Sequence, residues 1–352
     1  MPEPTEENLS EPARALRPGL VSVGLPVYNG ARYLREAVDS ILAQDYADFE
    51  LIISDNCSED ETEAICREYA ARDPRVRYYR AERNMGPAWN FLRVYQLARG
   101  EFFMWAAHDD RRAPRCLSLC VAALRESPRA LMCCMGSRMI DAEGRDITDA
   151  VPFKGRHPTG ASARERMRGL ARATAWLDVY ALFRTPVIAE TRLGKTNVWA
   201  GDILFTAEVV LRGEVVAAPE ALLEYRFFQT KTPEEMAESQ GLRGEDAEVS
   251  WLWFVSDLLE CVRLAPLPRL ERLSVGAAVA FETCARNPSL RWRLRVEGFR
   301  GVRRALSRGE YRRALRLAAL GSLSQAVGLY DRVRHSASYR GGRIRERMKA
   351  EG

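Results

Sequence analysis

Short apolar runs and helical stripes alternate through the first half of the chain. Leu20 to Leu25 is an apolar run bounded by Gly19 and Pro26, and predicts a buried strand. Between Gly30 and Gln44, the residues Tyr33, Leu34, Ala37, Val38, Ile41 and Leu42 fall at helical spacing. The alternation goes on with a strand at Phe49 to Ser54, a helix at Glu61 to Ala71, a strand at Val76 to Tyr79, a helix at Ala88 to Ala98 and a strand at Glu101 to Ala107. Beyond Pro114 come a helix to about Glu126, a Cys- and Met-rich strand at Leu131 to Gly136, and a turn at Asp141 to Gly144. A helix near Ser162 to Ala173 and a strand at Leu177 to Phe183 follow. Trp199-Ala200-Gly201-Asp202 caps an apolar helix, Ile203 to Leu211, that Gly213 stops; two short strands, Val215 to Ala217 and Leu222 to Phe227, then flank Pro219-Glu220. Strands alternating with helices at this spacing predict an α/β fold, a mostly parallel sheet flanked by helices.

The pattern divides the chain into a disordered leader over 1–18, an α/β domain over 19–230, a polar linker or mobile loop over 231–249, and a basic helical region over 250–352. That last region carries a helical hairpin turning at Ser307-Arg308-Gly309-Glu310. Charge sharpens the division. From Val262 onward 21 Arg and Lys stand against 7 Asp and Glu, +14, while the whole chain of 352 residues carries only +5, so residues 1–261 carry −9. The tail face bearing Arg300, Arg303, Arg304, Arg308, Arg312, Arg313 and Arg316 suits anionic lipid headgroups, with Phe299, Val302, Leu306, Leu315 and Leu317 docking on the body. A solvated helical hairpin packed on the acidic domain is the competing reading, and no recognition motif supports nucleic acid.

The 8 cysteines form no CxxC pair and only 3 histidines accompany them, so the spacing signals no structural zinc set. Free thiols and an opening stretch unlike an export signal point to the cytoplasm, with peripheral contact on the inner face of the membrane as the tail's contribution. The longest apolar runs, Leu273 to Phe281 and Ala318 to Leu329, fall short of the ~18 residues a membrane span needs.

In parallel sheets ligands gather beyond the carboxyl ends of the strands. The loops there read Pro26-Val27-Tyr28-Asn29-Gly30, Asp55-Asn56-Cys57-Ser58-Glu59-Asp60, Asn84-Met85-Gly86-Pro87 and His108-Asp109-Asp110, and none holds a dinucleotide or P-loop glycine pattern. Adjacent Asp109 and Asp110 suit a hard divalent cation that also grips a diphosphate, or else one of them caps the helix before Pro114 and the other is solvated. Asp55 and Asn56 can pair with the edge of a pyrimidine, or the loop is an Asx-turn in which Ser58 or Asp60 caps the next helix. Asp202 is either an N-cap or a carboxylate that takes a proton from an acceptor hydroxyl.

Taken in order, VSVGLPVYNGARYLREAVDSILAQDY, FELIISDNCSEDET, RNMGPAWN, FFMWAAHDD, WAGDILF and PEALLEYR resemble the family 2 glycosyltransferases over about residues 20–228. The resemblance implies a GT-A type fold and inverting, non-processive transfer of one sugar from a nucleoside-diphosphate sugar, with UDP placed ahead of GDP or dTDP. The acceptor is a saccharide or a lipid-linked hydroxyl, in polysaccharide or glycoconjugate assembly. By the same resemblance, Pro26, Tyr28 and Asn29 line the nucleotide pocket, and Asp55 with Asn56 meets the base. Asn84, Gly86, Asn90 and His108 sit near the nucleotide and sugar, Asp109 and Asp110 hold Mn2+ or Mg2+, and Asp202 is the catalytic base.

Departures from the family pattern are specific. Ala107 stands where the Asp-x-Asp-Asp motif has its first Asp, and Phe227 and Phe228 follow Arg226 where a His is common. The processive Gln-x-x-Arg-Trp motif is broken, since Pro288 precedes Arg291-Trp292. A non-catalytic nucleotide-sugar binding or scaffold protein with the same fold is the alternative these departures raise. As an N-cap, Asp202 is expected to have a lowered pKa and to be a weak base.

Overall fold

The structure is a computed structural model that describes residues 15–151, 157–172, 176–193, 201–228, 250–286 and 298–320 other than 313. Most of the leader, the 231–249 linker, Trp199 and Ala200, Arg291-Trp292 and the chain beyond 320 lie outside the described residues. The chain falls into two compact units, Met1–Thr230 and Lys231–Gly352.

The first unit is built on one sheet of eight strands in the order β3-β2-β1-β4-β7-β6-β8-β5. These are β1 Arg17–Val27, β2 Phe49–Asp55, β3 Val76–Arg80, β4 Gly100–Trp105, β5 Arg111–Arg112, β6 Ala130–Ile140, β7 Leu182–Arg184 and β8 Glu214–Arg226. Strands β3, β2, β1 and β4 run parallel, and β6 and β8 pair parallel, while β7 and β5 are antiparallel to their neighbours. The helices are α1 Ala31–Leu42, α2 Thr62–Arg72, α3 Pro87–Gln96, α4 Cys116–Glu126, α5 Ala163–Arg172, α6 Thr185–Ala189 and α7 Gly201–Arg212. Strands β1 and β2 are buried on both faces, which explains why they read as continuous apolar runs. The sequence of parallel strands reverses between β1 and β4, and a crevice opens at such a reversal.

Four expectations are corrected here. The strand expected over Leu177 to Phe183 is a 3-10 turn, Trp176–Tyr180, followed by the three-residue β7. The two strands expected around Pro219-Glu220 are one strand, β8, whose register slips opposite Met135 and Gly136 so that the pair passes without ending the strand. Strand β4 ends at Trp105, two residues early, so strand alternation does not reach His108. Gly213 follows α7 without a left-handed backbone; a Cβ there would lie 2.5 Å from Leu131 Cδ1, so Leu131 packs directly against the glycine.

The second unit contains α8 Ser250–Leu264, α9 Arg269–Arg286 and α10 Gly298–Ser307. Gly309, at φ 71°, turns the chain back into helix, with Gly309 N–H bonded to Leu306 O and Glu310 N–H to Ala305 O. The turn is where the sequence puts it, but the inner face only in part. Ala305, Ala314, Leu317 and Leu320 are buried, whereas Leu306 and Leu315 face solvent. Arg316 also leaves the expected basic face, donating to Ser256 Oγ at 2.9 Å and to Glu260 Oε2 at 2.5 Å. No helix among the described residues is long and apolar enough to cross a membrane.

Candidate functional site

The loops after β1, β2, β3 and β4 meet at one edge of the sheet. The turn after β1 bends at Asn29, φ 50°, and Gly30 is required there. A Cβ on Gly30 would lie 2.5 Å from Val27 Cγ2 and 2.7 Å from His108 Cδ2, so the His108 ring closes over the first loop. Pro26 is buried under this turn, while Tyr28, 40% exposed, and Asn29 stand at its mouth. Asn29 is held by the second loop, its Oδ1 accepting Glu59 N–H at 2.8 Å and its own N–H reaching Ser58 Oγ at 2.9 Å.

Asp60 joins two helix starts. One carboxylate oxygen accepts Thr62 N–H at 3.0 Å in α2 and the other Ala31 N–H at 3.1 Å in α1. Burial works against its charge, but the bonds from Thr62 and Ala31 outweigh it and hold the carboxyl below the ordinary range.

Asp55 ends β2 fully buried. Its Oδ1 accepts Ser58 N–H at 2.8 Å, closing the Asx-turn, and its Oδ2 accepts Tyr78 OH at 2.9 Å with Arg80 Nε at 3.4 Å. Asn56 spends its amide inside the protein, donating to Asn84 Oδ1 and Gly86 O and accepting Met85 N–H. Asn84 also accepts Gly86 N–H, which sets Gly86 at φ 86° ahead of α3. Asn90 is buried and satisfied as well: it accepts Ser54 Oγ at 2.6 Å and donates to Ser54 O and Val27 O. Asn56 and Asn90 therefore lace the loops together from beneath rather than presenting free amides.

The fourth loop carries Asp109 and Asp110, and neither caps α4, which starts at Cys116. Asp110 is buried, with Oδ1 accepting Arg226 N–H at 2.8 Å and Oδ2 lacking a hydrogen-bond partner among the described residues. Burial, reinforced by the neighbouring Asp109 charge, pushes its carboxyl up to about 7.

Sequence reasoning assigned no role to Arg226, although the Tyr-Arg of β8 was in view. Its guanidinium is fully buried and donates to Asp109 O, Asp141 O, Ala142 O and Glu36 Oε2, all at 2.9 Å, with its carbon 4.2 Å from the Tyr33 ring centroid. Phe228 packs on the same ring at 5.9 Å. One side chain thus ties the end of β8 to the aspartate loop, to α1 and to the 141–144 turn.

Asp202 lies in the first turn of α7. Phe205, one turn on, packs edge-on against Trp105 at 5.2 Å, which carries the helix start to the end of β4. Asp202 Oδ1 accepts the next N–H, that of Ile203, at 2.8 Å, and burial raises its carboxyl above the ordinary value. That corrects the expected lowering: desolvation outweighs the helix terminus. Tyr180 lies among these groups. Burial pushes its phenol well up, and the charges of Asp110, Asp109 and Asp202 push it in the same direction. The carboxylates of the fourth loop and of α7 therefore share one neighbourhood.

A family model, "Glycosyl transferase family 2", matches residues 22–174. An uncharacterised glycosyltransferase of Rickettsia typhi is 42% identical over 95 residues, 27% of this chain and 29% of that protein. Chondroitin synthase of Escherichia coli is 32% identical over 139 residues, 40% of this chain and 20% of that protein. The chain thus spans less than a third of the length of either relative. Residues 1–349 of TarS from S. aureus, in complex with UDP-GlcNAc, superpose with a TM-score of 0.60 at 18% identity, covering 92% of each chain. A mannosyltransferase from Pyrobaculum calidifontis, in complex with GDP-Man and Mn2+, gives a TM-score of 0.50 at 19% identity, over 90% of this chain and 83% of that one. Residues 22–174 thus match the family 2 glycosyltransferases, and the fold is the GT-A type shared with the solved neighbours.

Proposed function

We propose that the protein moves one sugar from a nucleoside-diphosphate sugar to an acceptor hydroxyl, with inversion, in polysaccharide or glycoconjugate assembly. The observation that carries this reading is that Asp110 and Asp109, after β4, and Asp202, at the start of α7, all bear electrostatically on Tyr180. Tyr28 and Asn29 line the mouth for the nucleotide, and Asp55 takes the base N–H. A carboxylate has about four lone-pair sites, so the Ser58 and Tyr78 bonds leave acceptor capacity. UDP is the donor nucleotide placed first; the solved neighbours bind UDP-GlcNAc in one case and GDP-Man in another.

Asp202 accepts the proton of the attacking hydroxyl as the new bond forms opposite the diphosphate. Its raised carboxyl makes it a better base than an ordinary capping aspartate. The donor set of the fourth loop fits a hard cation, because Asp110 offers a buried carboxylate oxygen without a partner among the described residues next to a second carboxylate. Mn2+ or Mg2+ held by Asp109 and Asp110 would offset the charge gathering on the departing diphosphate. Arg226 keeps that loop in register with β8. The acceptor is a saccharide or lipid-linked hydroxyl, and the basic tail brings the protein to the anionic inner face of the membrane.

Turnover over a panel of UDP-, GDP- and dTDP-sugars, read as release of the nucleoside diphosphate, tests the reading. Release from one donor class supports it. Tight nucleotide binding without turnover on any donor or acceptor would favour the binding or scaffold alternative, for which Ala107 and Phe227 give the motive.

A further inference from the structure

A second cluster of donor atoms lies apart from the aspartate loop. Cys134 on β6, His157 ahead of α5 and Asp178 in the 176–180 turn place one ligand atom each within 4.8 Å of one another. Along β6, Cys133 and Met135 point into the core beneath α4, so Cys134 points to the opposite face of the sheet. His157 Nδ1 stands 3.1 Å from Asp178 Oδ1. The second oxygen, Asp178 Oδ2, is buried with no hydrogen-bond partner among the described residues, although Asp178 is only 5% exposed. A buried carboxylate oxygen left bare is costly unless something positive meets it.

We propose that Cys134, His157 and Asp178 bind a thiophilic divalent cation of the Zn2+ class, which fastens the 176–180 turn and the entry to α5 onto strand β6. The chemistry of the set selects the ion. A thiolate, an imidazole and a carboxylate suit Zn2+ or Co2+ and not Mg2+, which takes oxygen alone. One thiolate and one carboxylate supply two negative charges, matching the ion, and His157 stays neutral. Three protein ligands leave a fourth tetrahedral position for water, and the side chain of His157, 25% exposed, gives the ion a way in.

Without an ion, burial, the nearby Asp178 charge and the thiol's own contact with that carboxylate hold Cys134 in its protonated form. On binding, the sulfur–hydrogen bond breaks, the sulfur–metal bond forms, and one proton passes to solvent. His157 Nδ1 exchanges its contact with Asp178 for the metal. CxxC spacing gives no sign of the set because its members are 21 to 44 residues apart and come together only through the sheet and α5.

The proposal does not depend on the sugar-transfer reading. The experiment is titration of the full-length, reduced, metal-stripped protein with Co2+, following the near-ultraviolet charge-transfer band that only a thiolate ligand gives. The expected result is a band that saturates at one equivalent, survives in Asp109→Ala, disappears in Cys134→Ser and is weakened in His157→Asn. Zn2+ should displace the band and raise the thermal midpoint of the wild type but not of Cys134→Ser. Circular dichroism checks that both cluster variants fold, and His157→Asn, at the less buried ligand, serves if Cys134→Ser does not. No band in the wild type, or a band unchanged in either cluster variant, would overturn the proposal.

Discussion

The backbone N–H of Arg226 is bonded to Asp110 Oδ1 at 2.8 Å, and the same residue's side chain holds the Asp109 carbonyl. The aspartate loop is therefore fixed to the end of β8 by both the main chain and the side chain of one residue. Arg226→Lys removes the planar fork that serves four acceptors, and Arg226→Met removes the charge as well. Both should cost about 3 kcal/mol or more in denaturant unfolding, because buried carbonyls lose their donors. A wild-type midpoint in either variant would show that the loop is held by other means.

Asp110 should couple cation binding to pH. Its carboxyl is raised to about 7 by burial and by Asp109, so in the cation-free protein it keeps its proton until the pH passes that value. Mn2+-dependent nucleotide binding should therefore strengthen as pH rises through about 7 and release a proton, measured by calorimetry in buffers of different ionisation enthalpy. Asp109→Ala should abolish the dependence on Mn2+ or Mg2+, and EDTA should lower wild-type activity. Full activity in protein confirmed metal-free would remove the cation from the account.

Asp60 caps two helices, and its effect has a sign with pH. The folded carboxyl is held below its ordinary range, so its contribution is present above the unfolded value and is lost as pH falls through the folded one. Asp60→Ala should cost roughly 1–2 kcal/mol at neutral pH, as removal of caps does, and progressively less in acid. Equal cost at neutral and strongly acid pH would contradict this.

The +14 stretch after Val262 should bring the protein down with liposomes that contain anionic lipid. Binding should weaken as salt rises, since attraction is screened over roughly 8 Å at physiological ionic strength. Sedimentation that ignores lipid composition would leave the tail as a solvated helical hairpin.

The sheet was legible because the residues of β1, β2 and β4 are apolar for a local reason: they are covered on both faces. Strand β5 was not, since two arginines form a strand only by pairing with Leu223 and Glu224 of β8. In the site, the loops could be located from strand ends and the aspartates from their chemistry. What each amide does could not, because Asn56 and Asn90 take their partners from 28 to 63 residues away. The raised carboxyl of Asp202 was hidden for the same reason. A helix start is a local signal that lowers a pKa, whereas the burial that reverses it depends on what the rest of the fold packs around that start.

Asp202→Asn separates proton transfer from donor binding when affinity and nucleoside-diphosphate release are both measured on the variant and the wild type. Ionised Asp202 is disfavoured by burial, so the Asn variant should be at least as stable at neutral pH. Donor affinity should stay nearly unchanged while release slows roughly 100-fold or more, as loss of a general base requires. Wild-type rates of release in the folded Asn variant would contradict that role.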